Sequence, residues 1–246
     1  MALRKYILGI MIVFLTLSSA RADDTIGRGY GKADYRTLTE TYFGFYNGGN
    51  PDVDMIDNYA KLVYCELYKE YFSDDFEWEK IRSSIKKDIR NYHSNLQRYF
   101  EITGKVMIDR YDFEANAFPV LPESRLNNIG KLAIYEPDSF FSYCGESGLP
   151  EFLPASYNLI LRNPFSVNKI PLPPEKAQEI VRFIATNEDG QRIIYVRYRM
   201  ELMDFAGLEG QLRKAANFRG QIQSIDLFLD PALTRKFGSL PVTRKE

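Results

Sequence analysis

The hydrophobic pattern of this chain changes period near residue 100, and that change limits the possible folds more than any other feature. Apolar residues recur every three to four positions in residues 51–72 and again in residues 74–99, as they do in amphipathic helices. Further along the chain, polar and apolar residues alternate with a period of two, as they do in strands. Because helices come first and strands later, the order predicts an α+β fold and not a repeated βαβ unit.

Element boundaries follow from helix-start signals and from one long alternating segment. Pro51 and Asp52 open the first helix, and Asp74 has a glutamate three positions later, which is the spacing of a capping box for the second. A third helix begins at Pro173, and residues 192–203 alternate over their whole length as one long strand. We therefore expect two N-terminal amphipathic helices, then a mainly antiparallel sheet with one further helix.

The first 22 residues have the features of an export signal. Arg4 and Lys5 precede an apolar run that is too short to span a membrane, and small residues follow up to Ala22. We expect residues 1–22 to be a signal peptide that is cleaved between Ala22 and Asp23.

Two regions follow the expected signal. Residues 23–50 show no clear periodicity and are rich in glycine, tyrosine and threonine, so we expect a flexible N-terminal arm. Residues 51–240 contain the periodic segments and predict a single α+β domain. No later stretch is long and apolar enough to cross a bilayer, so we expect a soluble protein without a membrane span after signal removal.

The charge balance and the cysteine content indicate which partners and which cellular location the sequence favours. Without residues 1–22 the chain carries 29 basic and 33 acidic residues, a balance that gives no electrostatic reason to bind nucleic acid. Cys65 and Cys144 are the only cysteines. In an oxidising compartment they predict one disulfide, and two separate buried thiols are the alternative. The absence of an Asn-x-Ser/Thr acceptor favours the bacterial envelope, periplasmic or secreted.

Four short motifs are spread along the expected domain. They are Cys65, Tyr111-Asp112-Phe113, Phe118-Pro119 and Leu172-Pro-Pro-Glu-Lys-Ala177 ahead of a long hairpin. In these motifs the chain resembles an uncharacterised family of exported bacterial domains of unknown function. The resemblance extends over most of the chain after residue 22. It implies an envelope location and carries over no catalytic residue.

Motifs for catalysis and for cofactors are few. His93 is the only histidine and no Gly-x-Ser-x-Gly segment occurs, so we expect no hydrolase triad. The spacing of histidine and cysteine does not suit zinc, and no phosphate-binding loop precedes a helix, so we expect neither a metal nor a cofactor. Asp109 and Asp112, with Glu114, remain as paired carboxylates at a strand end. They would suit a carboxylate-dependent hydrolase of envelope polysaccharide, or serve as turn residues.

Two groups of side chains are candidates for binding. Aromatic residues of the expected arm would form a stacking surface for sugars or a partner protein, or else belong to a core built from large rings. One side of the long strand carries two arginines between a tyrosine and a glutamate. These would bind an acidic partner, or form a solvated face with cross-strand ion pairs. The candidate binding residues are Tyr42, Phe43, Phe45 and Tyr46 in the arm and Tyr195, Arg197, Arg199 and Glu201 on the strand.

These patterns favour an exported protein that works by binding. The partner would be a protein or another envelope component, and not a nucleic acid. The carboxylate-dependent hydrolase is the alternative from a different functional class.

Overall fold

Helices occupy the first part of the described chain, and strands dominate the remainder. The structure is a computed structural model, which describes residues 29–124, 126, 129–138, 141–185, 192–211 and 214–242. The expected signal peptide and its cleavage point lie outside these residues. The described helices are α1 (Tyr35–Phe45), α2 (Val53–Val63), α3 (Cys65–Tyr71), α4 (Asp75–Ser94) and α5 (Pro174–Ile184).

The strands vary from two to seventeen residues in length. They are β1 (Gly31–Lys32), β2 (Tyr99–Met107), β3 (Ala117–Pro119), β4 (Ile129–Tyr135), β5 (Ser142–Tyr143), β6 (Glu146–Ser147), β7 (Ser156–Phe165), β8 (Lys169–Pro171), β9 (Ile193–Glu209), β10 (Ala215–Phe228) and β11 (Lys236–Leu240).

Seven of these strands form one mixed sheet. Its order is β1-β2-β9-β10-β7-β4, and β11 pairs with the C-terminal part of β10. The pairs β1–β2 and β7–β10 are parallel, whereas the other four pairs are antiparallel. Strands β3 and β8 form a second small sheet, and β5 and β6 form a hairpin. The predicted α+β class is confirmed.

One face of the central strands β9 and β10 is apolar and carries the core. The predicted alternation along β9 is confirmed, because buried and half-buried residues alternate from Ile193 to Leu202. Helix α1 packs on the apolar face through aromatic rings. The ring centroids are 5.3 Å apart for Tyr42 and Phe205 and 5.8 Å apart for Phe45 and Phe218. Helices α2 and α4 pack around α1, and all three contribute to the same core.

The expected flexible arm over residues 23–50 is wrong for its described part. Residues 35–45 form α1, which begins with a capping box between Asp34 and Thr37. The apolar periodicity does not predict this helix, because Thr39 and Thr41 are polar residues at buried positions. Thr39 donates to the carbonyl of Tyr35 at 2.7 Å, which satisfies its hydroxyl within the helix.

The helix predicted over residues 51–72 is divided in two. Tyr64, with φ −120° and ψ 46°, separates α2 from α3 and places Cys65 at the first position of α3. The other two predicted helices agree with α4 and α5. Helix α4 begins after Asp74, whose carboxylate accepts from two backbone amides, and α5 begins at Pro174.

The close approach of β9 and β10 at Gly220 leads to a stability prediction. A bulge shifts the register beside Gly220, and a Cβ there would lie 2.1 Å from the carbonyl oxygen of Glu201. We expect Gly220→Ala to reduce the free energy of unfolding by about 3 kcal/mol, since backbone atoms must move. In Gly238→Ala the added Cβ would meet its nearest atom at 3.8 Å, so this control should lose less than about 1 kcal/mol. Urea unfolding measures both, and equal stability of the two variants would contradict this reading of the bulge.

Candidate functional site

A cleft of about 510 Å³ opens where α1 ends, α2 begins and the β9–β10 hairpin turns. Residues 149–155, here called the wall segment, close its remaining side. The lining residues are Tyr42, Tyr46, Asp52, Met55, Leu149, Pro150, Glu151, Phe152, Leu153, Pro154, Ala155, Leu208 and Lys214. A cavity of this size suits a small ligand or one or two residues of a larger one.

Hydrogen bonds fix the wall segment to the helices and to the sheet. The buried hydroxyl of Tyr35 on α1 donates to the carbonyl of Pro154 at 2.9 Å. The amide of Ala155 donates to the carbonyl of Lys214 at 2.7 Å, just before β10. The wall segment has no regular secondary structure, so these contacts hold its position relative to the other two sides of the cleft.

The predicted disulfide is confirmed and adds a second anchor ahead of the wall segment. Cys65 and Cys144 are bonded, with their Cα atoms 5.2 Å apart. Cys144 and Gly145 have φ angles of 48° and 81°, so they form the two-residue turn of a type I′ hairpin between β5 and β6. In the chain-entropy model, closing a loop of this length stabilises the fold by about 4 to 5 kcal/mol.

Lys61 reinforces the same anchor from α2. Its ammonium pairs with the carboxylate of Glu146 on β6. It also lies 5.4 Å from the ring centroid of Tyr68 and 5.6 Å from that of Tyr143. The β5–β6 hairpin is therefore held on the helices by a covalent bond, an ion pair and one cation–π contact, that of Lys61 with Tyr143.

Aromatic and aliphatic side chains form the floor and the rim of the cleft. Tyr42 is almost fully buried in the floor, with its ring 5.1 Å from that of Tyr46. Phe152 and Leu208 lie at the rim with 61% and 40% of their surface exposed. Phe152 also has a φ of 60°, which is strained for a bulky residue. Strain of this kind concentrates at ligand-binding sites, and both exposed apolar side chains line the same opening.

Charged groups are present on three sides of the cleft. Asp52 caps α2 by accepting from the amide of Met55 at 2.9 Å, Glu151 belongs to the wall segment and Lys214 precedes β10. No ion pair joins any of the three to another residue that the structure describes. Burial, followed by the proximity of Tyr46 and Asp52, raises the pKa of Tyr42, so its hydroxyl stays protonated.

The aromatic candidates from the expected arm divide into two pairs. Tyr42 and Tyr46 line the cleft, and Phe45 packs on the sheet. Phe43 has no exposed surface and packs edge to face on Tyr59, with ring centroids 5.2 Å apart. Phe43 cannot touch a ligand in this arrangement, so its assignment as a binding residue is corrected to a core position.

Sequence reasoning missed most of the other lining residues. Asp52 was assigned only to the start of a helix, which it does cap. One signal was available in the wall segment: Phe152 lies between Pro150 and Pro154, an aromatic residue in a proline-flanked segment without periodicity. No local sequence pattern marks Leu208 or Lys214 as a lining residue, because the β9–β10 hairpin places them at the cleft.

The four strand candidates lie on the opposite face of the sheet from the helices. Arg197 pairs with Asp226 at 3.0 Å, and Arg199 pairs with Glu101 at 3.4 Å. Glu201 accepts hydrogen bonds from the side chains of its β10 neighbours, and Tyr195 lies opposite a phenylalanine of β10. The arrangement is that of cross-strand ion pairs, the second of the two alternatives that the sequence left open. It does not adjoin the cleft.

The carboxylates considered for hydrolysis act as turn residues. Asp112 accepts from the amides of Glu114 and Ala115 at 2.9 and 3.0 Å, and Asp109 accepts from the amide that follows it. Neither aspartate lines the cleft. His93 bonds through Nδ1 to the carbonyl of Gly44 at 2.7 Å. Within the described ranges, no group of three or more histidine, cysteine and acidic residues is arranged to hold a metal.

Part of the chain matches the model of a known family. The model of a domain of unknown function, DUF4852, matches residues 52–182. The chain belongs to the DUF4852 family. The family segment runs from Asp52 to α5 and so contains both cysteines and the wall segment, whereas α1 and the β9–β10 hairpin lie outside it. No curated protein and no solved structure matches the chain.

None of the described helices of this family member reaches the combination of length and hydropathy that a bilayer-crossing helix requires.

The ion pairs of the polar sheet face lead to a pH prediction at Asp226. Burial alone would raise the pKa of Asp226, but hydrogen bonds from Lys236, Ser239 and Arg197 outweigh it and hold the pKa below its usual range. The stabilisation that ionised Asp226 provides is fully present above about pH 4, which is the pKa of this carboxyl group in the unfolded chain. It is lost as the pH falls through the lower pKa that the group has in the folded protein. We expect Asp226→Asn to cost about 2 kcal/mol at pH 7 and less at pH 3.

Denaturant unfolding of the wild type and the variant at both pH values measures this difference. Asp204→Asn is the matched control, because Asp204 pairs with Arg219 on the same face but is half exposed, and it should cost less than about 1 kcal/mol. If Asp226→Asn lowers the free energy of unfolding equally at pH 7 and pH 3, the ionised Asp226 carboxylate is not the source of the stabilisation.

Proposed function

We propose that this protein is an exported, non-catalytic binding factor of the bacterial envelope, and that it holds its ligand in the cleft. The observation that carries the proposal is the combination, at one opening, of exposed apolar side chains and of charged groups that form no ion pair with another described residue. Phe152 and Leu208 expose large apolar surface at the rim. Asp52, Glu151 and Lys214 have no ion-pair partner among the described residues. A bound ligand would satisfy both kinds of group.

The way the cleft is built also supports binding. Its walls are held by a disulfide and by buried hydrogen bonds, so the cleft is preformed and little ordering is required on binding. Its polar lining consists of side chains that suit recognition, namely two tyrosines, two carboxylates and an ammonium.

Export is supported by two independent features. Residues 1–22 have the pattern of a signal peptide. The Cys65–Cys144 disulfide suits an oxidising compartment, where such bonds form and persist. The partner of an exported binding factor would be an envelope protein or another envelope component.

Photo-crosslinking in living cells tests the proposal. The full-length chain is expressed in a Gram-negative host with benzoylphenylalanine in place of Phe152, and the exported fraction is analysed by intact mass. We expect a chain that starts at Asp23 and carries an adduct from residue 152. Leu208→Lys in the same chain should reduce the adduct at least fivefold, because it places a charge at the apolar rim.

The control has benzoylphenylalanine in place of Phe76, which is 84% exposed on α4 and away from the cleft. Any adduct at residue 76 should be equally abundant with and without the Leu208→Lys substitution. Equal adducts at the two positions, or an exported chain that retains residues 1–22, would refute the proposal.

A further inference from the structure

We propose that the cleft takes a positively charged organic group, an alkylammonium or a guanidinium, between Asp52 and Glu151. This inference rests on the proposed function and names the chemical class of the ligand. Its basis is the distribution of charge and aromatic rings around the opening.

The charge of the lining favours a cation. Asp52 and Glu151 approach from different sides of the cleft, one from the start of α2 and the other from the wall segment. Among the described residues that line the cleft, only Lys214 has a positive charge. Each of these groups lacks an ion-pair partner among the described residues. An anionic ligand would meet two carboxylates for each ammonium, whereas a cation gains two attractions.

The aromatic lining favours a cation of the organic kind. Half-buried Tyr46 and exposed Phe152 present rings at the opening, and the almost fully buried ring of Tyr42 packs 5.1 Å from that of Tyr46. Alkylammonium and guanidinium groups are attracted to the faces of such rings, and their carbon atoms pack against apolar side chains. A hydrated metal ion would gain little from this floor.

The tyrosine hydroxyls add hydrogen-bond acceptors for the N–H groups of a cation. Tyr42 stays neutral because burial and the nearby Asp52 carboxylate raise its pKa. It can therefore accept a hydrogen bond while its own proton points elsewhere.

Lys214 sets the orientation of the ligand. It repels a cation at the hairpin end of the cleft, so the positive group lies towards Asp52 and Glu151. A neutral or acidic part of the same ligand would face Lys214. The arrangement suits the side chain of a basic peptide and also suits a polyamine.

Titration calorimetry of the mature chain tests the ligand class with named probes. N-acetyl-arginine amide represents a peptide source, spermidine represents a polyamine, and chitobiose represents a neutral sugar. We expect heat of binding with at least one cationic probe and none with chitobiose. Affinity should fall as sodium chloride is raised, because the attraction is between charges.

Substitutions that each remove one charge show where the cationic probe binds. Asp52→Asn retains a side chain that caps helices and removes only the charge. It should therefore lower the affinity for the cationic probe at least tenfold. Glu151→Gln lies in the wall segment, outside any helix, and should weaken it about fivefold. Lys214→Gln should strengthen it, because the repulsion is removed. Asp54→Asn is the control, since Asp54 is in the first turn of α2 but does not line the cleft.

The possible outcomes separate this inference from the proposed function. Binding of the cationic probe that is unchanged by Asp52→Asn and Glu151→Gln overturns the inference. Binding of chitobiose alone, sensitive to Leu208→Lys, also overturns it but leaves the cleft as a binding site. If no probe binds and no adduct forms at residue 152, both this inference and the proposed function are refuted.

Discussion

The packing of α1 against the apolar face of the central strands supports every other part of this structure. Its rings lie on β9 and β10, and each large side chain that becomes fully buried contributes about 2 to 3 kcal/mol. The same helix reaches beyond the sheet. Tyr35 holds Pro154 in the wall segment, and Thr39 shares a buried hydrogen bond of 2.6 Å with Tyr157 on β7. Removing α1 would separate the helices, the sheet and the wall segment at once.

The cleft forms where regular structure ends. Strands β9 and β10 shift register at three bulges. Near the bulge closest to the hairpin turn, between Asn217 and Phe218, α1 gives way to a short 3₁₀ turn, Tyr46–Gly49. Bulges turn a strand away from its neighbours, so the hairpin end opens a gap beside the helices. The wall segment closes that gap because the disulfide, Tyr35 and the backbone hydrogen bond from Ala155 to Lys214 anchor it.

The sequence predicts the regular parts of this fold and few residues of the cleft. Periodicity identified α4, α5 and the alternation of β9, because each places a continuous apolar stripe on the core. It missed α1, whose buried threonines read as polar positions until their hydrogen bonds are known. The cleft brings together Tyr42, Glu151 and Leu208 from distant parts of the chain, and no local pattern encodes such a meeting.

Chemical-shift mapping of the amide spectrum during titration with N-acetyl-arginine amide tests the central claim most directly. The account predicts that the largest shifts fall on the amides of Tyr46, Asp52, Glu151 and Leu208, with little change along the polar face of β9. Largest shifts at Arg197 and Glu201, with the cleft amides unmoved, would contradict it and would place binding on the opposite face of the sheet.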